Sequence, residues 1–234
     1  MKMMGIQRFI TRKNIIIGVT FCLILAVGIL TKQHPLFMIP LFVSLIVMAL
    51  QSEVNRIAFL VGGINSCIYA AVYMSMGLYA SAASALLFSC PFQLVAFFNW
   101  KRKAYGKATV FKKLSTRMRV ILGVASVLIF GVVQAILMWL GSNYAVLDNI
   151  SFVNGVLVNV LSVLAYIEYI YLQFAGGFLT IALNVQVMLS KPAHSTYLVF
   201  SLYSLYCLAV AFRNVRRIYK EQQGNTLDSH CDRK

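Results

Sequence analysis

Acidic residues are nearly missing from this chain, with 6 Asp and Glu among 234 residues against 21 Lys and Arg. Charged residues of both signs reach only 12%, about half of what a soluble domain needs to cover its surface, so a soluble fold is excluded. The three histidines (His34, His194 and His230) stand too far apart for a metal site or a catalytic triad. Of the five cysteines, Cys22, Cys67, Cys90 and Cys207 lie in apolar runs and Cys231 in a polar tail, none at metal or redox spacing. Tyr105-Gly106-Lys107-Ala108-Thr109 superficially suggests a phosphate loop, but no Gly stands five residues before Gly106 and Ala108 replaces the Ser or Thr. The sequence therefore offers no ATPase, no metal site and no cofactor.

What is abundant is hydrocarbon. The chain is 60% hydrophobic with a mean hydropathy of +0.79. The apolar residues come in blocks of roughly 16–22, the length that ~30 Å of bilayer asks of a helix. They fall at about 14–31, 35–51, 57–75, 78–98, 120–141, 150–167, 169–189 and 194–212. A cleavable signal peptide over residues 1–30 is the lesser reading of the first block, because no small-residue cleavage site follows Ile15–Leu30. The net charge of +15 is a matter of topology and lipid contact, with no nucleic acid implied. With eight spans both termini share a side. That side holds Lys2, Arg8, Arg12 and Lys13, then Arg56, eight cations between Asn99 and Arg119, and six after Phe212, leaving only Lys32 and Lys191 opposite. The positive-inside rule places both termini in the cytoplasm.

The stretch Arg56–Lys103 has a weak copy 114 positions later: Gly62-Gly63 falls on Gly176-Gly177, and Phe98 with its basic tail on Phe212 with Arg213, Arg216 and Arg217. The expected fold is an all-α membrane protein of eight transmembrane helices, two parallel three-helix bundles joined by a connector helix plus an N-terminal accessory helix facing lipid. Three helices and one connector make an even number, so the second bundle repeats the first in the same orientation. The corresponding segments are 1–34 (cytoplasmic N-terminus and accessory helix), 35–98 (first bundle), 99–149 (basic loop and connector), 150–213 (second bundle) and 214–234 (cytoplasmic tail, polar and disordered from Gln222 to Lys234).

Polar groups inside a bilayer are costly, and their spacing shows which faces they share. Gln173, Gly177, Thr180 and Asn184 follow steps of four, three and four; so do Gly155, Asn159, Ser162 and Tyr166. Gly62, Asn65, Tyr69 and Tyr73 form a face of the third span, and Ser89, Gln93, Ala96 and Trp100 a face of the fourth. These stripes predict a central pocket of amides and hydroxyls, partly closed by Phe92 and the tyrosines. Such groups suit a neutral, multi-hydroxyl or heterocyclic ligand. No Lys or Arg lies within a span, which argues against a phosphorylated one. Glu168 is the only acid expected near the core, to pair with Arg56, hold a cationic ring or carry a proton, or simply to be solvated. Gln186 points away from the stripe as a packing residue. Trp100, Trp139, Tyr144 and Tyr197 are expected as interface anchors.

Gly63-Ile64-Asn65, Tyr69, Gly77-Leu78-Tyr79, Pro91-Phe92-Gln93 and Asn99-Trp100 together resemble the PnuC family of vitamin transporters, and Tyr166-Ile167-Glu168 matches the acidic opening of that family's seventh-helix motif. The resemblance covers roughly Val47 to Arg217. It implies a SWEET-like core, facilitated diffusion by alternating access in the bacterial inner (cell) membrane, and a homo-oligomer, a trimer. It also implies a cytoplasmic kinase that traps the product. After the acid, where the family has a Trp-x-x-Trp clamp, this chain has Ile170 and Gln173; where the family has Gly-Trp near the end of the fourth helix, it has Phe97-Phe98. The expected substrate is a small neutral or weakly cationic vitamin precursor or nucleoside such as nicotinamide riboside, thiamine or riboflavin. Its expected contacts are Asn65, Tyr69, Phe92, Gln93, Asn159, Tyr166, Glu168, Gln173, Thr180 and Asn184. A non-transporting membrane assembly subunit, and less so a membrane enzyme, are the competing readings.

Overall fold

Aliphatic runs with few Pro and Gly interruptions leave the chain little choice but helix, since in lipid each backbone polar group must be satisfied within its own segment. The computed structural model describes residues 2–142 and 144–231, with side chains over 14–142 and 144–224. Eight helices result: α1 Lys2–Leu30, α2 Pro35–Ser52, α3 Ile57–Met76, α4 Tyr79–Arg102, α5 Thr116–Trp139, α6 Ala145–Val163, α7 Glu168–Ser190 and α8 Ser195–Cys231. The seven from α2 onward are long and apolar enough to cross a membrane; the apolar part of α1 with described side chains, Asn14–Leu30, is shorter. Their ends follow local rules. His34 caps α2 ahead of Pro35, Ser115 Oγ accepts the Met118 N–H at the start of α5, and α3 stops at Gly77, whose φ of +82° is the left-handed C-cap.

Four elements depart from the sequence expectation. Helix α1 reaches back to Lys2, where the first block was expected from about residue 14. Helix α6 starts about five residues early and stops about four early, because Asp148 is buried and hydrogen-bonded in its first turn and Ala165 turns left-handed (φ +58°). Helix α4 widens into a π-helical segment, Ser84–Ser89, directly before Pro91, which has no N–H to return to the previous turn. Helix α8 runs on through the tail to Cys231, where disorder from Gln222 was expected; residues 232–234 lie outside the described ones.

Six helices close a ring. Each packs chiefly on two neighbours, in the order α2, α3, α4, α6, α7, α8 and back to α2. Helix α5 stands outside the ring against α6, and only Leu137 on it is fully buried. Helix α1 lies outside as well, but it is not wholly given to lipid: Thr20 and Ile24 are buried where it packs on α8 and α2.

The two halves of the ring match at their inner turns. Val54 (φ +56°), between α2 and α3, and Ala165 (φ +58°), between α6 and α7, lie 111 positions apart. Val54 N–H donates to the Gln51 carbonyl and Ala165 N–H to that of Ser162; Asn55 N–H donates to Leu50 and Tyr166 N–H to Leu161. The backbone thus repeats one helical turn short of the 114 suggested by the glycine pairs. Both turns are tied to one loop, which carries a small antiparallel hairpin, β1 Ala104–Tyr105 and β2 Ala108–Thr109. Arg56 N–H donates to the Lys107 carbonyl (3.2 Å) and Ile167 N–H to that of Lys112 (2.9 Å). The Gln222 side chain on α8 holds Phe111 N–H and the Thr109 carbonyl. Beneath the ring this loop adds Phe111 and Leu114 to an apolar cluster with Phe59, Trp100 and Tyr169. That is where Trp100 goes. It is 1% exposed and donates to the Ser162 carbonyl at 2.7 Å, so it is a core residue and not an interface anchor. Tyr144 and Tyr197 are likewise buried, whereas Trp139 is 85% exposed.

Candidate functional site

Inside the ring lie three adjoining chambers. The innermost (≈ 180 Å³) is walled by α2, α3, α4, α6 and α7; a side chamber (≈ 230 Å³) sits between α6, α7 and α8, and an outer one (≈ 320 Å³) runs up between the two halves. Gln173 and Val158 divide the first from the second, Ser44 and Tyr69 the first from the third, and Thr180 and Ser204 the second from the third. Among the described residues, no Asp, Glu, Lys or Arg lines any chamber.

The 111-residue correspondence continues along these walls. Ser44 answers Gly155, Gln51 answers Ser162, Gly62 answers Gln173, Tyr69 answers Thr180 and Tyr73 answers Asn184, and every one of these ten residues faces a chamber. The same interior positions on matching helices therefore form both sides of one space.

Seven of the ten candidate contacts are brought together here. Asn65 is 3% exposed; its Nδ2 donates to the Pro40 carbonyl (3.0 Å) and to Ser44 Oγ (2.9 Å), and Ser44 Oγ donates in turn to Tyr69 Oη (2.9 Å). Its Oδ1 is buried with no partner among the described residues. Gln93 Nε2 reaches Ser66 Oγ at 3.4 Å, and its carboxamide lies against Gly62, where a Cβ would come within 2.5 Å of Gln93 Oε1. Asn159 Nδ2 donates to Ser89 Oγ across to α4 (3.0 Å). Gln173 Oε1 is a second buried acceptor of this chamber without a partner among the described residues. Thr180 Oγ1 donates back to the Gly176 carbonyl, and Asn184 Nδ2 donates to the Tyr197 carbonyl at 3.3 Å.

Three candidates lie elsewhere. Phe92 lines none of the chambers and meets Phe88 edge-on, with ring centroids 5.9 Å apart. Tyr166 is off the helix altogether, since α6 ends at Val163; its backbone bridges to Lys112 and its ring joins the apolar cluster below. Glu168 belongs to the loop scaffold. Its carboxylate accepts Leu114 N–H (3.1 and 3.2 Å) and pairs with Arg119 (2.9 Å), not with Arg56.

The sequence reading passed over the walls from α2 and α8. Ser44 and Gln51, seven apart on α2, and Tyr197 and Ser204, seven apart on α8, carry the same helical signal more faintly. It also passed over Asp148. That residue is wholly buried beside the outer chamber, where its carboxylate accepts the N–H groups of Ala80 (2.9 Å) and Ser81 (3.0 Å) and the Ser81 hydroxyl. Its charge is spent on capping α4 and holding it to α6, and Glu168 is therefore not the only acid near the core.

A family model for nicotinamide mononucleotide transporters matches residues 34–215, well over half of the chain. The fold is similar to a crystal structure of the vitamin B3 transporter PnuC, with a TM-score of 0.75 and 21% sequence identity over 90% of this chain and 92% of that one. No protein of curated function matches the sequence.

Proposed function

The chain belongs to the nicotinamide mononucleotide transporter family, a family of multi-pass membrane transporters and not of enzymes, and we propose that it carries a small, uncharged or weakly cationic nucleoside-like vitamin precursor such as nicotinamide riboside. The observation that carries this reading is the character of the inner chamber: uncharged walls and two buried acceptors, Asn65 Oδ1 and Gln173 Oε1, that a ligand's N–H or O–H groups would satisfy. A phosphate would leave water for walls that hold no Lys or Arg, at a cost nothing there repays. The nucleoside is therefore a better fit than the mononucleotide in the family's description. The stacking surface is supplied by Tyr69, which faces both the inner and the outer chamber and is backed by Tyr73 with ring centroids 5.4 Å apart and 28° between the planes, while Ile170 is fully buried below the chamber and only Gln173 of the family's clamp positions faces it.

In this reading α2–α4 and α6–α8 are two parallel bundles, α5 is the connector, and both termini face the cytoplasm. The bundles rock about the chambers to give access from either side in turn. No acid among the described residues lines the path, so transport is facilitated diffusion, and net uptake depends on a cytoplasmic kinase that makes the product too charged to return. Asn159→Leu combined with Asn184→Leu is the test. Uptake in cells should fall at least tenfold while the variant inserts and purifies as the parent does. Unchanged uptake sinks the carrier and favours a scaffold. A panel of nicotinamide riboside, thiamine, riboflavin and deoxynucleosides then names the substrate by thermal stabilisation, since a ligand at 100 times its Kd adds about 2.7 kcal/mol.

A further inference from the structure

A separate pocket of ≈ 410 Å³ opens at the basic end, where α5, α7 and α8 diverge. Lys113 and Arg119 enter it from the loop and the first turn of α5, Glu168 from α7, and Arg216 and Lys220 from α8. Glu168 is the one acid among the described residues of its wall, and it is already committed to Arg119 and to Leu114 N–H. Three exposed cations remain in one small space, and their mutual repulsion, eased by water, falls further when an anion joins them. The surroundings say what carries the anion. Arg216 lies over the Phe212 ring, 5.5 Å from its centroid. Tyr171 and Tyr219 edge the pocket, and Val120 and Ile121, next to Arg119, are 61% and 58% exposed. The pocket thus sits where the apolar lengths of three candidate spans end, with tyrosines at the height of head groups.

We propose that this pocket binds the phosphate of an anionic phospholipid in the leaflet facing the basic loop. A cationic pocket between helices, rimmed by surface fit only for acyl chains, matches a head group that arrives with its own hydrocarbon. A soluble phosphate would have no use for that rim. The proposal rests on the orientation given above and not on the substrate, so lipid binding and uptake fail independently.

The test titrates the full-length protein in detergent with phosphatidylglycerol, phosphatidylcholine and inorganic phosphate, and follows adducts by native mass spectrometry. Phosphatidylglycerol should bind saturably and in preference to phosphatidylcholine. Arg216→Gln with Lys220→Gln should weaken it roughly 25-fold, about fivefold for each cation removed. Lys101→Gln with Arg102→Gln, at the far end of α4, should leave it unchanged. Should the α8 pair fail to fold, Lys113→Gln in the exposed loop tests the same pocket with an expected loss of about fivefold. Equal binding of both lipids, equal loss in the α4 control, or displacement of the lipid by millimolar phosphate would each overturn the assignment.

Discussion

The two halves of the ring line the same space in different ways. In the first half the polar groups bond one another: Asn65 to Ser44 and the Pro40 carbonyl, Ser44 to Tyr69, Gln93 to Ser66. In the second half more of them stand unpaired. Asn159 reaches across to Ser89 and Asn184 to the Tyr197 carbonyl, but Gln173 Oε1 and Ser151 Oγ are buried without partners among the described residues, and the Thr180 hydroxyl bonds within its own helix. A wall whose groups hold each other is preorganised, and a wall with spare donors and acceptors can take part in a ligand's hydrogen bonding. One pattern of positions, repeated at matching depths in both halves, thus supports two jobs.

The largest expected effect strikes the first wall. Asn65→Leu leaves the Pro40 carbonyl and Ser44 without their donor, a loss of about 1–3 kcal/mol that should lower both the unfolding temperature and the uptake rate. A variant that unfolds at the parent's temperature would show that the first wall is no more rigid than the second. Gln173→Leu comes next, and it should separate the two properties. It removes one ligand bond of about 1 kcal/mol, so KM for uptake should rise roughly fivefold while thermal unfolding stays put. If its unfolding temperature falls as far as that of Asn65→Leu, the contrast between the walls is lost. The smallest effect is expected from Gln186→Leu. This residue is on α7 with Gln173 but is exposed outside the ring; the Ser190 hydroxyl donates to its backbone carbonyl at 3.4 Å, a bond the substitution leaves in place. Uptake and stability within twofold of the parent would confine the sensitivity of α7 to its inner face.

The stripes on α3 and α7 were legible because helical geometry alone puts residues three and four apart on one face. Gly62, Asn65, Tyr69 and Tyr73, and Gln173, Gly177, Thr180 and Asn184, all reach the chambers. Tyr166 was misplaced for an equally local reason, a helix that stops at Val163, which periodicity assumes away. Asp148 escaped notice because hydropathy treats a carboxylate as the edge of a span, whereas here backbone N–H groups and a serine satisfy it in the interior.

The sequence by itself determined that the chain is a multi-pass helical protein, that it is built on an internal repeat, and which helix faces are polar. Those properties follow from apolar run length, charge placement and the 3.6-residue turn, all of which are local. Only the tertiary structure decided that the repeat registers at the Val54 and Ala165 turns, that α2 and α8 complete the cavity wall, and that Glu168 serves the loop while Asp148 caps α4. These depend on which backbone donors find which acceptors across distant segments, a matter of partners brought together by packing.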